Sequence, residues 1–124
     1  MNGDRTPAML LSELGTEMRE LQDSADSFSK ARRILARCQY KYEQKMAERL
    51  IEIKDEYANS GERLPGEEMR RAICHSRMSD DERSNLLMSE AEVDALEKMI
   101  RVRTAVVSAL QSELSFLRTE FSTS

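Results

Sequence analysis

Apolar residues recur at helical spacing along most of the chain. In the longest stripe they lie three or four positions apart: Phe28, Ala31, Leu35, Cys38, Tyr42, Met46, Leu50, Ile53 and Tyr57. This spacing places them along one side of an α-helix. The polar run Asn59-Ser60-Gly61, which ends in glycine, is typical of a helix C-terminus. The pattern predicts a first long helix over residues 24–58 and a turn over residues 59–66.

A shorter amphipathic segment precedes this helix. Thr6 can cap a helix, and Pro7 suits the first helical position. Apolar residues then follow at helical spacing: Met9 or Leu10, Leu14, Met18 and Leu21. The next polar residues offer alternative caps: Asp23, Ser24, Asp26 and Ser27. Because such caps compete with a continuous helix, we predict an N-terminal helix over residues 6–22 that breaks or bends before the first long helix.

The C-terminal half begins with a short helix over residues 67–77. Ser79 and Glu82 then have the spacing of a capping box, in which each residue satisfies the backbone N–H of the other. A second long helix is therefore predicted over residues 79–121. Its apolar seam alternates between steps of three and four: Val93, Leu96, Ile100, Arg103, Val107, Leu110, Leu114, Leu117 and Phe121. Arg103 is the charged exception in this seam.

A second apolar stripe lies beside the seam on the same helix: Met88, Ala91, Ala95, Met99, Val102, Val106 and Ala109. Together the elements predict an all-α domain over residues 1–124, a long antiparallel helical hairpin with a short N-terminal helix. Because this second stripe is apolar, another surface must pack against it. The N-terminal helix could fold back over it to make a three-helix bundle, or a second copy could cover it. We expect a homo-oligomer whose interface comprises Met99, Val102, Val106, Leu110, Leu114 and Leu117.

Composition removes several classes of protein. Four glycines and two prolines in 124 residues are too few to punctuate a many-stranded sheet, which argues against a β-sandwich or barrel. The chain has no run of roughly eighteen apolar residues, which predicts no membrane span. The two cysteines, Cys38 and Cys74, lie far apart in the sequence, which indicates a reducing compartment and a cytoplasmic protein.

Catalytic chemistry has little support in the sequence. His75 is the only histidine, and on a helix it would point about 100° away from Cys74, which is poor geometry for a shared metal. We interpret the pair as an interfacial cysteine beside a surface histidine. Neither a glycine-rich phosphate loop nor an ordered Ser-His-Asp set is present. We therefore expect no enzyme, no metal site and no cofactor.

Charge is distributed unevenly. The net charge is −4, yet residues 30–54 carry eight basic and three acidic side chains, a net charge of +5. At about 100° per residue, several of these cations share one side of the helix, with a tyrosine at its edge. We call this set the basic stripe: Lys30, Arg33, Arg37, Tyr40, Lys41 and Lys45. A row of cations beside an aromatic ring suits a single-stranded nucleic acid. The alternative is a solvated face whose cations pair with acids on a neighbouring helix.

A short N-terminal helix is followed by the basic helix FSKARRILARCQYKYEQKMAERLIEIKDEYANSG, a short connecting helix, and the long helix EVDALEKMIRVRTAVVSALQSELSFLRTE. This order and these lengths resemble the UvsY-type phage recombination mediators. The resemblance covers about residues 8–120 and includes Phe28-Ser29-Lys30 and Tyr57 before Ser60-Gly61. It departs at Asp55 and Glu56, where family members keep basic residues.

The resemblance implies small helical subunits that form rings, bind single-stranded DNA, and help load a RecA-like recombinase onto DNA coated by single-strand-binding protein. Because of the departure at Asp55 and Glu56, DNA contact would shift to Lys30, Arg33, Arg37, Lys41 and Lys45. A phage-encoded chain would act in the host cytoplasm. The alternative function is that of a coiled-coil adaptor, a chaperone or a phage structural protein that binds only other proteins.

Overall fold

The computed structural model describes residues 5–123, with side chains to residue 120. It contains three helices, α1 (Pro7–Ser60), α2 (Glu67–Arg77) and α3 (Asp80–Thr123), and it is 91% helical without a strand in that range. The long helices α1 and α3 pack against each other as in a hairpin, which confirms the predicted fold class. Phe121, the last residue of the predicted seam, lies outside the described side chains.

Three predicted signals for helix termini are confirmed, at Thr6, Gly61 and Ser79, although α1 and α3 each extend two residues beyond their predicted ends at residues 58 and 121. The Thr6 hydroxyl accepts from the backbone N–H of Met9 at 3.1 Å. Gly61 ends α1 with φ of +75°, a conformation that glycine adopts without strain. At the start of α3, Glu82 N–H donates to Ser79 Oγ at 3.1 Å, and Ser79 N–H donates to the Glu82 carboxylate at 2.9 Å. This reciprocal pair is the predicted capping box.

The predicted break after residue 22 is wrong, since α1 continues without interruption from Pro7 to Ser60. The physical reason lies in the polar side chains that suggested caps. Ser24 Oγ donates to the carbonyl oxygen of Glu20 at 2.8 Å, one helical turn back. The Gln22 amide donates to Asp26 at 3.1 Å along the same helix. These side chains therefore bond within the helix instead of capping a new one.

The structure divides into two compact units. The first comprises the chain up to Lys30 and from Val93 onward, so it contains the N-terminal part of α1 and most of α3. Its core is a leucine cluster in which Leu10, Leu110 and Leu114 are buried, and Leu14 and Leu117 pack against it.

Polar contacts fix the register of the first unit. Arg5 bonds Glu113 at 3.3 Å, Arg103 pairs with Glu20, and Ser24 approaches the sulfur of Met99 at 3.7 Å. As residue numbers rise along α1, those of the α3 partners fall, so the two helices run antiparallel.

The second unit comprises residues 31–92. Its core joins α1 to α2 and to the start of α3: Tyr42, Met46, Ile53, Cys74 and Met78 are buried, and Leu50, Tyr57, Ile73 and Leu86 pack against them. Outside the core, Arg77 donates two hydrogen bonds of 2.8 Å to the carboxylate of Glu56. This contact holds the pKa of Glu56 below its usual range.

The predicted oligomer interface requires a correction. Leu110 and Leu114 are buried in the chain's own leucine cluster, and Leu117 packs against it, so these three do not form a free surface. Met99, Val102 and Val106 remain exposed. The three-helix bundle is also wrong, because residues 7–22 extend α1 along the seam and leave the second stripe uncovered.

Candidate nucleic-acid interface

The six residues of the basic stripe are all exposed. Lys30 belongs to the first unit, and the other five lie on the α1 segment of the second unit. Tyr40 is 66% exposed and accepts a hydrogen bond from the Gln44 amide at 3.2 Å, so its ring is accessible. The structure thus agrees with the prediction, made from helical spacing, that this stripe faces solvent.

The free cations of the stripe distinguish it from the other basic groups. Lys45 pairs with Glu48 at 3.4 Å on its own helix. Lys30, Arg33, Arg37 and Lys41 make no ion pair with any residue between 5 and 123. The alternative, in which the stripe pairs with acids of a neighbouring helix, therefore does not describe these four cations within the chain.

Two smaller groups of basic side chains, one on α2 and one on α3, behave differently, because most of their cations are paired. They comprise Arg70, Arg71 and Arg77 on α2, and Lys98, Arg101 and Arg103 on α3. Arg71 lies 3.7 Å from Glu43, and Lys98 lies 3.0 Å from Asp94. Further pairs join Arg77 to Glu56, Arg101 to Glu97, and Arg103 to Glu17 and Glu20. Their charge is largely compensated, whereas four of the five cations of the stripe have no such partner among the described residues.

A groove of about 690 Å³ lies in the second unit between α1 and the start of α3. Lys41 and Lys45 of the stripe lie along its α1 side. Its apolar lining is Ile34, Cys38 and Met88, of which Met88 is 68% exposed. Sequence reasoning missed the groove, because its two sides are about forty residues apart in the chain and depend on tertiary packing.

The two sides of the groove carry opposite charges. The α3 side contributes Glu82 and Glu92, opposite Lys41 and Lys45 of α1. Glu82 is held in place by the capping box, and the hydrogen bond from the Ser79 N–H lowers the pKa of its carboxyl. The groove can therefore bind an anionic group along one side and hydrogen-bond donors along the other.

Tyr42 and His75 form a contact that the sequence pattern did not indicate. The Tyr42 hydroxyl hydrogen-bonds Nδ1 of His75 at 2.5 Å, and the two rings stack. Burial raises the pKa of the Tyr42 phenol above its usual value. Cys74 is fully buried beside the exposed His75, which confirms the reading of this pair as an interfacial cysteine and a surface histidine.

Across residues 5–123, no group of three or more histidine, cysteine, aspartate or glutamate side chains could hold a metal ion. Within the same range, no helix has the length and apolar character needed to cross a membrane.

Fold and surface define the chain as a helical-hairpin protein with a basic stripe of largely unpaired cations beside a groove. Comparison of the chain with protein-family models, curated proteins and solved structures gives no match.

Proposed function

We propose that the chain is a non-enzymatic protein that binds single-stranded DNA through its basic stripe and acts as a recombination mediator. The observation that carries this proposal is the set of exposed, unpaired cations on α1, above all Arg33, Arg37 and Lys41. A cation without an intramolecular partner can neutralise a phosphate without first losing an ion pair.

The chemistry of the stripe favours a single strand over a duplex. Unstacked bases can pack on an exposed aromatic ring, and Tyr40 offers such a ring beside the cations. Contacts of this kind read the backbone and the face of any base, so the basic stripe itself should not discriminate between bases. For single strands the affinity falls with salt by about 0.7 log units per log unit for each neutralised phosphate. Three or four contacts per chain therefore predict a slope of roughly −2 to −3.

Self-association would strengthen this binding. Met99, Val102 and Val106 expose apolar surface on α3, which supports a homo-oligomer. An oligomer repeats the stripe, and repeated weak contacts on one strand raise the overall affinity. The mediator role, with a RecA-like recombinase and single-strand-binding protein as partners, depends on the resemblance of the chain to UvsY-type mediators.

A charge-reversal experiment tests DNA binding. The variant Arg33→Glu/Arg37→Glu/Lys41→Glu should lose binding to a labelled mixed-base single strand, measured by fluorescence anisotropy at about 50 mM salt. Circular dichroism should show unchanged helicity, because the three side chains are exposed. The matched control is Arg19→Glu/Lys54→Glu/Arg63→Glu, which changes the net charge equally at other exposed positions and should retain most of the binding.

Two outcomes oppose the proposal. Absence of binding by the parent protein at low salt removes the DNA-binding function altogether. Equal loss in both triple variants shows that net charge, and not the stripe, determines binding.

A second candidate is a protein-only adaptor, chaperone or phage structural protein. The exposed apolar residues Met99, Val102 and Val106 favour it, because such a stripe can hold a partner helix. A parent protein that fails to bind DNA but retains self-association would support this candidate.

A further inference from the structure

We infer that the groove between α1 and the start of α3 receives bases that carry an exocyclic amino group, namely cytosine, adenine and guanine, in preference to thymine. This inference rests on the proposed DNA binding and adds a base preference to it. Three features of the groove support it: the two charged sides, one available carboxylate and the apolar lining.

The charges orient a strand that follows the stripe. Lys41 belongs both to the stripe and to the groove, so a backbone held by Arg33, Arg37 and Lys41 reaches the groove along its α1 side. Glu82 and Glu92 on the α3 side repel phosphates. The strand can therefore satisfy both sides only if its backbone lies along α1 and its base edges point toward α3.

Glu92 is the carboxylate available to a base. Glu48, which also lines the groove, pairs with Lys45 at 3.4 Å, and Glu82 accepts the capping hydrogen bond from Ser79. Glu92 is exposed, and its side chain makes no ion pair or hydrogen bond with any residue of the described chain. An ionised carboxylate only accepts hydrogen bonds. At position 4 it accepts from the amino group of cytosine, whereas thymine presents a carbonyl oxygen there and leaves only its ring N3–H as a donor.

The lining suits the flat face of a base. Ile34, Cys38 and Met88 give apolar or weakly polar contact surface, and the thioether of Met88 is polarizable. The volume of about 690 Å³ falls within the range of roughly 300–1,000 Å³ that is usual for small-molecule sites. The groove thus has room for a base together with part of its sugar.

Oligo-dC and oligo-dT of equal length provide the test, because their bases are similar in size and differ at the amino position. Anisotropy titrations at neutral pH should show roughly tenfold tighter binding of oligo-dC, the effect of one charge-assisted hydrogen bond. The Glu92→Met variant, which removes the acceptor at similar length, should bring the two affinities close together. The control Glu90→Met removes an exposed carboxylate of α3 outside the groove and should keep the preference.

Cys38 provides an independent readout, because its partly exposed thiol lines the groove while Cys74 is buried. Saturating oligo-dC should slow alkylation of Cys38 by iodoacetamide severalfold, measured by peptide mapping. Equal binding of both oligonucleotides with an unprotected Cys38 overturns the inference and leaves the DNA-binding function intact. If the parent protein binds neither oligonucleotide, both the inference and the proposed DNA-binding function are overturned. Protection of Cys38 by raised protein concentration without DNA assigns the groove to a second copy and also overturns the inference.

Discussion

The phenolic oxygen of Tyr42 lies 2.5 Å from Nδ1 of His75, and the two ring centroids are 5.5 Å apart. The contact joins α1 to α2 at the edge of the second unit's core, where Tyr42 packs with Met46, Ile53, Cys74 and Met78. It therefore fixes the position of α2 against α1, near the side of the groove that Tyr42 helps to form.

Replacement of Tyr42 by phenylalanine should lower stability by about 1 kcal/mol, because the hydrogen bond to His75 is lost while the ring remains.

The same replacement should also change how the stability of the protein depends on pH in the alkaline range. Burial raises the pKa of the folded Tyr42, so its contribution to stability is complete below the unfolded pKa of about 10 and is lost as the pH rises through the folded value. Urea denaturation between about pH 8 and pH 11 should show a smaller alkaline loss for Tyr42→Phe than for the parent. An unchanged alkaline slope would contradict this assignment.

The capping box at the start of α3 gives a second prediction. Ser79→Ala removes the hydroxyl that accepts from the Glu82 N–H, and it should cost about 1 kcal/mol. For a chain of this size, the melting temperature should fall by about 4 °C. Ser79→Asp keeps an acceptor at the same position and should restore most of the stability in the same calorimetric measurement. A melting temperature that does not respond to Ser79→Ala would show that tertiary packing alone fixes this helix start.

The helix boundaries could be predicted from the sequence wherever local chemistry determines them. Thr6, Gly61 and Ser79 act on backbone groups within a few residues, so their signals are present in the chain itself. At Ser24, local chemistry leaves two arrangements open. Its hydroxyl can cap a helix or bond the preceding turn, and its burial beside Met99 of α3 accompanies the second arrangement. The sequence around Ser24 does not indicate the contact with Met99, which lies on another helix.

The same distinction applies to the candidate site. The exposure of Arg33, Arg37 and Lys41 follows from their angle to the apolar stripe on one helix, which periodicity predicts. The groove and the Tyr42–His75 contact could not be predicted, because each joins residues from different helices. Long-range contacts of this kind depend on how the helices pack, which no local pattern encodes.

Arg103 interrupts the apolar seam of α3 and provides a third prediction. Its guanidinium pairs with Glu20 and lies 3.7 Å from Glu17, but its Nε is buried without a partner among the described residues. Replacement of a partly buried ion pair by a well-packed apolar side chain is often neutral or stabilising. Arg103→Leu should therefore keep or raise the urea midpoint, whereas Arg103→Ala should lower it. A clear loss of stability in Arg103→Leu would show that the ion pairs, and not seam packing, hold α3 against α1.

The two adjacent valines Val106 and Val107 on α3 separate folding from assembly. Val107 is 8% exposed, whereas Val106 is 38% exposed and its neighbour in the second stripe, Val102, is 64% exposed. Val107→Glu places a lone charge in the core and should lower stability by about 3–5 kcal/mol. Val102→Glu should leave the melting temperature nearly unchanged and should reduce the sedimentation coefficient, if the second stripe joins copies of the chain.

The control for this last prediction is Thr104→Glu, which adds the same charge at an exposed position of α3 away from the second stripe. It should sediment as the parent does. A parent protein that remains monomeric at high micromolar concentration would contradict assembly through the second stripe, and Val102→Glu would then have no effect on sedimentation. DNA binding by such a monomer would have to come from a single basic stripe, so its affinity should be weak and should show the salt slope of one chain.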